Sequence, residues 1–106
     1  GGCDKDGIDC SAFAQKLYEE VFGINLVRTS IEQFNNCRLK TDIDDLEDGD
    51  LVFFRINGKR ISHVGVYLMN NYFVHASSNG VMISSLTESY WQRCFAGGGS
   101  VPKNNG

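Results

Sequence analysis

A chain of 106 residues, 42% apolar and 11% aromatic, can bury one compact core and is too short for two domains. Its 13 acidic and 10 basic residues leave a net charge of −3, with no basic run and no aromatic and basic stripe, so no nucleic-acid partner is expected. No stretch approaches the ~18 consecutive apolar residues of a membrane span, and the abrupt start at Gly1-Gly2 reads as part of something longer, with any export signal expected upstream.

In chain order, the first predicted element follows Cys10. Phe13, Ala14, Leu17, Tyr18, Val21 and Phe22 recur at spacings of one, three and four, which predicts an amphipathic helix with Asp9 as N-cap, Cys10 as first residue and Gly23 as stop. The unpaired N–H groups and positive dipole end of a helix stabilise a thiolate, the reactive form of cysteine. Gly7-Ile8-Asp9-Cys10-Ser11 therefore sets a thiol where it becomes a nucleophile. An arbitrary cysteine is more often a small buried residue or half of a disulfide, so Cys10 gains its meaning from its company.

A second, short helix is predicted from Ser30 to about Asn36, capped by Thr29 or Ser30 with Glu32 and Gln33 in its first turn. Asp44-Asp45-Leu46-Glu47-Asp48-Gly49-Asp50 reads as a solvated acidic turn, since it lacks the ligand spacing and closing Glu of an EF-hand loop. It leads into a strand over 51–56 that closes at Asn57-Gly58, a hairpin signal. Strands over about 61–68, 72–77 and 81–86 follow at short spacing, the last two broken at Ser78-Asn79-Gly80. Such connections imply an antiparallel meander. A last helix from Glu88 to about Arg93 carries Tyr90 and Trp91, and the Gly-, Ser- and Asn-rich residues 96–106 read as a flexible tail. The class is α+β, with helices packed on one side of an antiparallel sheet.

The only two histidines, His63 and His75, both fall in these strands. A cysteine early and histidines later is the order of a papain-like thiol hydrolase. Strand side chains alternate faces, so a plain two-residue turn at Asn70-Asn71 puts the two rings on opposite faces. A three-residue connection, Met69 to Asn71, brings them to one face as diagonal neighbours at roughly 7 to 8 Å. Use of both histidines therefore predicts an odd loop or a bulge there. Each histidine lies on the face opposite the aliphatic one, and that face is expected to meet the N-terminus of the Cys10 helix.

Gly1-Gly2, Gly7-Ile8-Asp9-Cys10-Ser11, Asp48-Gly49-Asp50-Leu51-Val52-Phe53-Phe54, His63-Val64-Gly65-Val66-Tyr67-Leu68 and Phe73-Val74-His75-Ala76 occur in this order. Together they closely resemble the NlpC/P60 family of bacterial cell-wall cysteine peptidases over about residues 1–95. The resemblance implies a papain-like α+β fold and hydrolysis of peptidoglycan stem peptides, commonly between D-glutamate and a diamino acid, with crosslink bonds as the other target. It implies Cys10 as nucleophile, His63 as general base and His75 as the residue that orients the base, with Asp9 and Ser11 either holding the free amine of the substrate or simply capping the helix. It implies an exported monomer of the bacterial envelope, anchored or secreted through an upstream segment, that needs no metal or cofactor.

The chain departs from the family pattern in three places. The usual Tyr before Gly-Gly is not in this sequence, Ala12 stands where Gly is usual, and Cys3, Cys37 and Cys94 are not family features. With Cys10 needed as a thiol, those three allow at most one disulfide, and the pair stays open. Other readings also stay open: a wall-binding or regulatory module of the same fold without turnover, a thiol amidase or acyltransferase on another substrate, and a metal site built from Cys10, His63, His75 and another cysteine. The last lacks the short ligand spacings of structural zinc.

Overall fold

A computed structural model of the chain describes residues 8–102, with side chains from Cys10 onward. Gly1-Gly2, Cys3, the Asp9 side chain and the last residues of the expected tail lie outside the described residues. The first helix, α1, is Ile8–Phe22. Asp9 therefore lies inside it rather than capping it, and Cys10 is its third residue rather than its first. Gly23 ends the helix as expected: its φ is +68°, in the left-handed region, and its N–H bonds back to the Glu19 carbonyl.

Helix α2, Ser30–Asn36, begins at Thr29, whose hydroxyl accepts from the Glu32 N–H while the Glu32 carboxylate accepts from the Thr29 N–H. This is a full capping box. Strand β1, Arg38–Lys40, and a 3-10 turn at Ile43–Asp45 follow. The acidic stretch is not wholly solvated, because Asp50 is buried. Its carboxylate accepts from Lys40 Nζ at 2.8 Å and from the Glu47 N–H at 2.9 Å. The Tyr18 hydroxyl of α1 donates to the Gly49 carbonyl and so ties the helix to this turn.

Strands β2 (Leu51–Phe54), β3 (His63–Tyr67), β4 (Tyr72–Ser77) and β5 (Gly80–Ser85) form the expected antiparallel meander. Helix α3, Ser89–Cys94, then delivers the chain to a strand that the composition concealed, β6, Phe95–Ser100. The sheet order is β1-β6-β2-β3-β4-β5, so β6 lies between β1 and β2. Residues 96–100 are therefore structural, and the expected flexible tail is wrong for them. Glycine suits this place for a steric reason: a Cβ on Gly98 would come 2.5 Å from the Leu51 carbonyl oxygen, and one on Gly99 would strike the Arg38 carbonyl. What reads as linker composition is close strand packing.

The two faces of the sheet hold different cores. On one, Ala14 and Tyr18 of α1 pack with Leu51, Phe53, Val64 and Val66. On the other, Val52, Phe54, Tyr67, Phe73 and Leu86 pack with Trp91 of α3 and Phe95. Helix α1 thus covers the aliphatic face, and the histidine face is roofed by Trp91. The expectation of helices on one side of the sheet is corrected accordingly: alternation puts Val64 and Val66 under α1 and His63 under Trp91 of α3.

Candidate active site

The loop between β3 and β4 sets the histidine geometry. Val66 pairs with Val74 and Tyr67 with Phe73, and the Leu68 N–H bonds to the Tyr72 carbonyl. Met69, Asn70 and Asn71 therefore make a three-residue connection, with φ of +63° at Asn70 and +70° at Asn71. Asparagine tolerates this left-handed conformation better than most residues. The odd loop brings both rings to one face. His63 Nε2 lies 2.8 Å from His75 Nδ1, the ring centroids 4.9 Å apart and the planes at 89°.

Both rings are buried, and aromatic walls hold them. Trp91 stacks on His63 at 5.5 Å and 25° and meets His75 edge-on at 5.2 Å. Phe54 packs against His63, and Phe73 against His75. Gly65 leaves room for this: a Cβ there would lie 2.8 Å from the Phe73 ring and 3.2 Å from His75 Cβ. Burial first, and the neighbouring His63 second, pull the His75 pKa down to about 4. His75 is accordingly neutral at pH 7, and its far nitrogen, Nε2, lies 2.9 Å from Ser84 Oγ. The outer nitrogen of the pair, His63 Nδ1, is buried with no hydrogen-bond partner among the described residues. A buried unpaired ring nitrogen is costly unless chemistry uses it.

Cys10 is fully buried at the start of α1, and its Sγ lies 3.9 Å from the Ser62 carbonyl oxygen, the residue immediately before His63. The thiol thus approaches β3 at its beginning, from the α1 side. Ser11 is buried beside it, its hydroxyl accepting from Arg28 Nη1 at 3.2 Å. Gln33 of α2 braces the same turn, donating from Nε2 to the Ser11 carbonyl at 3.4 Å and to the Val27 carbonyl at 2.9 Å. Cys37 and Cys94 are both free thiols, and burial pushes the Cys37 thiol up from its ordinary value. Among the described residues, no group of three or more His, Cys, Asp or Glu side chains is placed to hold a metal ion.

A cavity of about 310 Å³ adjoins the histidine pair, lined among others by His63, His75, Ser84, Glu88, Tyr90 and Trp91. A larger one, about 550 Å³, lies between the loop after α1 and Pro102 and touches neither histidine; the two histidines favour the smaller one, although Cys10 lines neither. Ser84 and Trp91 are the participants that pattern reading missed. Ser84 pairs with Phe73 and is diagonal to His75 across β4 and β5, so the diagonal rule for antiparallel neighbours points to it once the Ser78-Asn79 turn fixes the register.

The sequence profile of the NlpC/P60 family matches residues 1–99. The chain belongs to this family. It is 54% identical over 96 residues to a "Probable endopeptidase NlpC homolog" of Haemophilus influenzae, covering 90% of this chain and 50% of that one. It is 48% identical over 96 residues to the "Murein DD-endopeptidase MepS/Murein LD-carboxypeptidase" of Escherichia coli K12, with the same coverage. The NlpC/P60 chain thus spans about half the length of the curated relatives it matches. Among solved structures, an NLP/P60-family protein similar to a lipoprotein, from Staphylococcus aureus, superposes with a TM-score of 0.78 at 31% identity, over 91% of this chain and 32% of its own. No helix among the described residues is long and apolar enough to cross a membrane.

Proposed function

We propose that this NlpC/P60 domain is a cysteine peptidase of the bacterial envelope that hydrolyses amide bonds in peptidoglycan stem peptides, acting as a monomer. The observation that carries the reading is the 2.8 Å contact of His63 Nε2 with His75 Nδ1, which leaves the buried His63 Nδ1 unpartnered while the Cys10 thiol lies against the carbonyl just before His63. The name of the 48% identical relative, a murein DD-endopeptidase, favours the D,D-crosslink bond over the D-glutamyl bond as target.

In this mechanism the Cys10 thiol gives its proton to His63 Nδ1, and the thiolate attacks the scissile carbonyl. His63 returns the proton to the leaving amine as the C–N bond breaks, leaving an acyl-thioester on Cys10. Water, deprotonated by His63, then hydrolyses the thioester and releases the acid. His75, neutral because burial and His63 lower its pKa, orients the base without competing for its proton. The positive end of the α1 dipole supplies the field for the oxyanion; loss of one oxyanion-hole donor typically costs about 2.7 to 4 kcal/mol. Asp9 and Ser11, flanking the nucleophile, hold the free amine of the peptide.

Digestion of purified peptidoglycan by the protein and by Cys10→Ala, with mass spectrometry of the released muropeptides, tests this. The wild type is expected to release products whose new termini name the bond, and the variant none. Equal product from both removes Cys10 from the chemistry.

A further inference from the structure

Ser84 lies on β5, away from Cys10, yet its hydroxyl is the hydrogen-bonding partner of His75 Nε2 at 2.9 Å. The contacts from Ser84 to His63 form a single line: Ser84 Oγ, His75 Nε2, His75 Nδ1, His63 Nε2, and at the end the unpartnered His63 Nδ1. Neutral imidazole carries one proton on one of two nitrogens, so the protons along this line are not independent. In one arrangement His63 Nε2–H donates to His75 Nδ1, His75 Nε2–H donates to Ser84 Oγ, and His63 Nδ1 keeps its lone pair. In the other, Ser84 donates to His75 Nε2, His75 Nδ1–H donates to His63 Nε2, and the proton of neutral His63 sits on Nδ1. Only the first lets His63 accept a proton at Nδ1. It is also the only one compatible with a doubly protonated His63, whose Nε2–H needs an acceptor at His75 Nδ1.

We propose that Ser84 is a positioning residue that fixes the tautomer of the base from two rings away: by accepting from His75 Nε2–H it makes His75 Nδ1 an acceptor and holds His63 with its Nδ1 open. The line of contacts runs Ser84, His75, His63 and ends at the nitrogen that the peptidase reading gives to the Cys10 proton; Ser84 touches no reacting atom. Phe73 and Trp91 pack against the His75 ring, and among the described residues Ser84 Oγ is the hydrogen-bonding partner of its Nε2. Burial and the proximity of His63 keep His75 from taking a second proton, which is what obliges it to choose one nitrogen. This inference rests on the peptidase reading for its catalytic consequence, but the tautomer itself does not.

The test is ¹⁵N NMR of the imidazole nitrogens in the whole chain, with kinetics on a stem peptide. In the wild type, His75 Nε2 is expected to carry the proton and Nδ1 to be the bare nitrogen. Ser84→Ala is expected to mix the two tautomers and to lower kcat on the order of 10-fold with KM little changed, the low end of what losing the hydrogen-bond partner of a metal-bound histidine costs. Ser84→Thr, which keeps the hydroxyl, restores both. A wild-type His75 protonated on Nδ1 overturns the proposal even if Ser84→Ala fails to fold, and so does a Ser84→Ala variant with an unchanged tautomer and kcat. If Cys10→Ala degrades peptidoglycan as well as wild type does, the peptidase reading fails while the NMR result still decides the tautomer.

Discussion

His75 is the residue in which structure and chemistry are most tightly joined. Its pKa of about 4 in the fold lies below the ordinary histidine value of 6.5, burial being the larger cause and His63 the smaller. Above pH 6.5 neither the folded nor the unfolded chain protonates this ring, so it costs nothing there. As pH falls from 6.5 toward 4 the unfolded chain takes up a proton that the folded chain refuses, and stability drops. The loss expected over that window is on the order of 2 kcal/mol, discounted from the full shift because solvent partly relieves a ring next to a cavity. Urea denaturation at pH 7 and pH 4.5 measures it, and His75→Gln removes that part of the slope. Equal pH slopes in the two proteins contradict the assignment. Cys10→Ala, by contrast, is expected to abolish turnover while costing only about 1 kcal/mol of stability, since it exchanges one small buried side chain for another. A variant that unfolds at room temperature shows instead that Cys10 is chiefly a core residue.

At the scale of elements, the site depends on how β3 and β4 pack. Gly65 of β3 lies beneath Phe73 and His75 of β4, and any Cβ there pushes on the ring wall and on the backbone that carries the second histidine. Gly65→Ala is expected to destabilise by about 1 to 3 kcal/mol, the usual range for overpacking, and to lower kcat more than stability alone explains. Gly58→Ala serves as the contrast. Its φ is +102°, but nothing lies within 4 Å of a Cβ, so it is expected to cost about 1 kcal/mol of backbone strain and no activity. Equal kcat losses in the two variants sink the argument that Gly65 acts through His75. Helix α2 contributes in a simpler way. Its capping box at Thr29 and Glu32 holds the turn from which Arg28 and Gln33 reach Ser11 beside the nucleophile. Thr29→Ala is expected to cost about 1 kcal/mol, read from the denaturation midpoint.

At the scale of the whole molecule, legibility in the sequence divides by the kind of signal. Helix α1 and the β2 to β5 meander follow from 3.6-residue and two-residue periodicity. The parity of the Asn70-Asn71 loop follows from the need to bring two rings together, and the pairing of Val66 with Val74 meets it. What pattern could not give was which face of the sheet a helix covers, because period-2 alternation separates two faces without ordering them. It also hid Ser84, whose importance exists only through a cross-strand diagonal. Most of all it hid β6, because Gly97-Gly98-Gly99 matches a linker by composition, and only the tertiary neighbours show that glycine is there for lack of space.

That strand carries a whole-molecule prediction. A chain ending at Phe95 loses nearly all of β6, and with it the only strand partner of β1 among the described residues and one of the two neighbours of β2. The fully buried Leu51-Val52-Phe53-Phe54 then becomes an open, apolar sheet edge, a template for intermolecular pairing. The lost pairing and exposure add to more than the ~5 kcal/mol at the low end of domain stabilities. The truncated chain is therefore expected to aggregate and to show no cooperative melt by circular dichroism, alongside a sharp transition for the full chain. A truncated chain that stays soluble and melts within a few degrees of the full one shows that β6 is dispensable after all, and that the linker-like composition was the better guide.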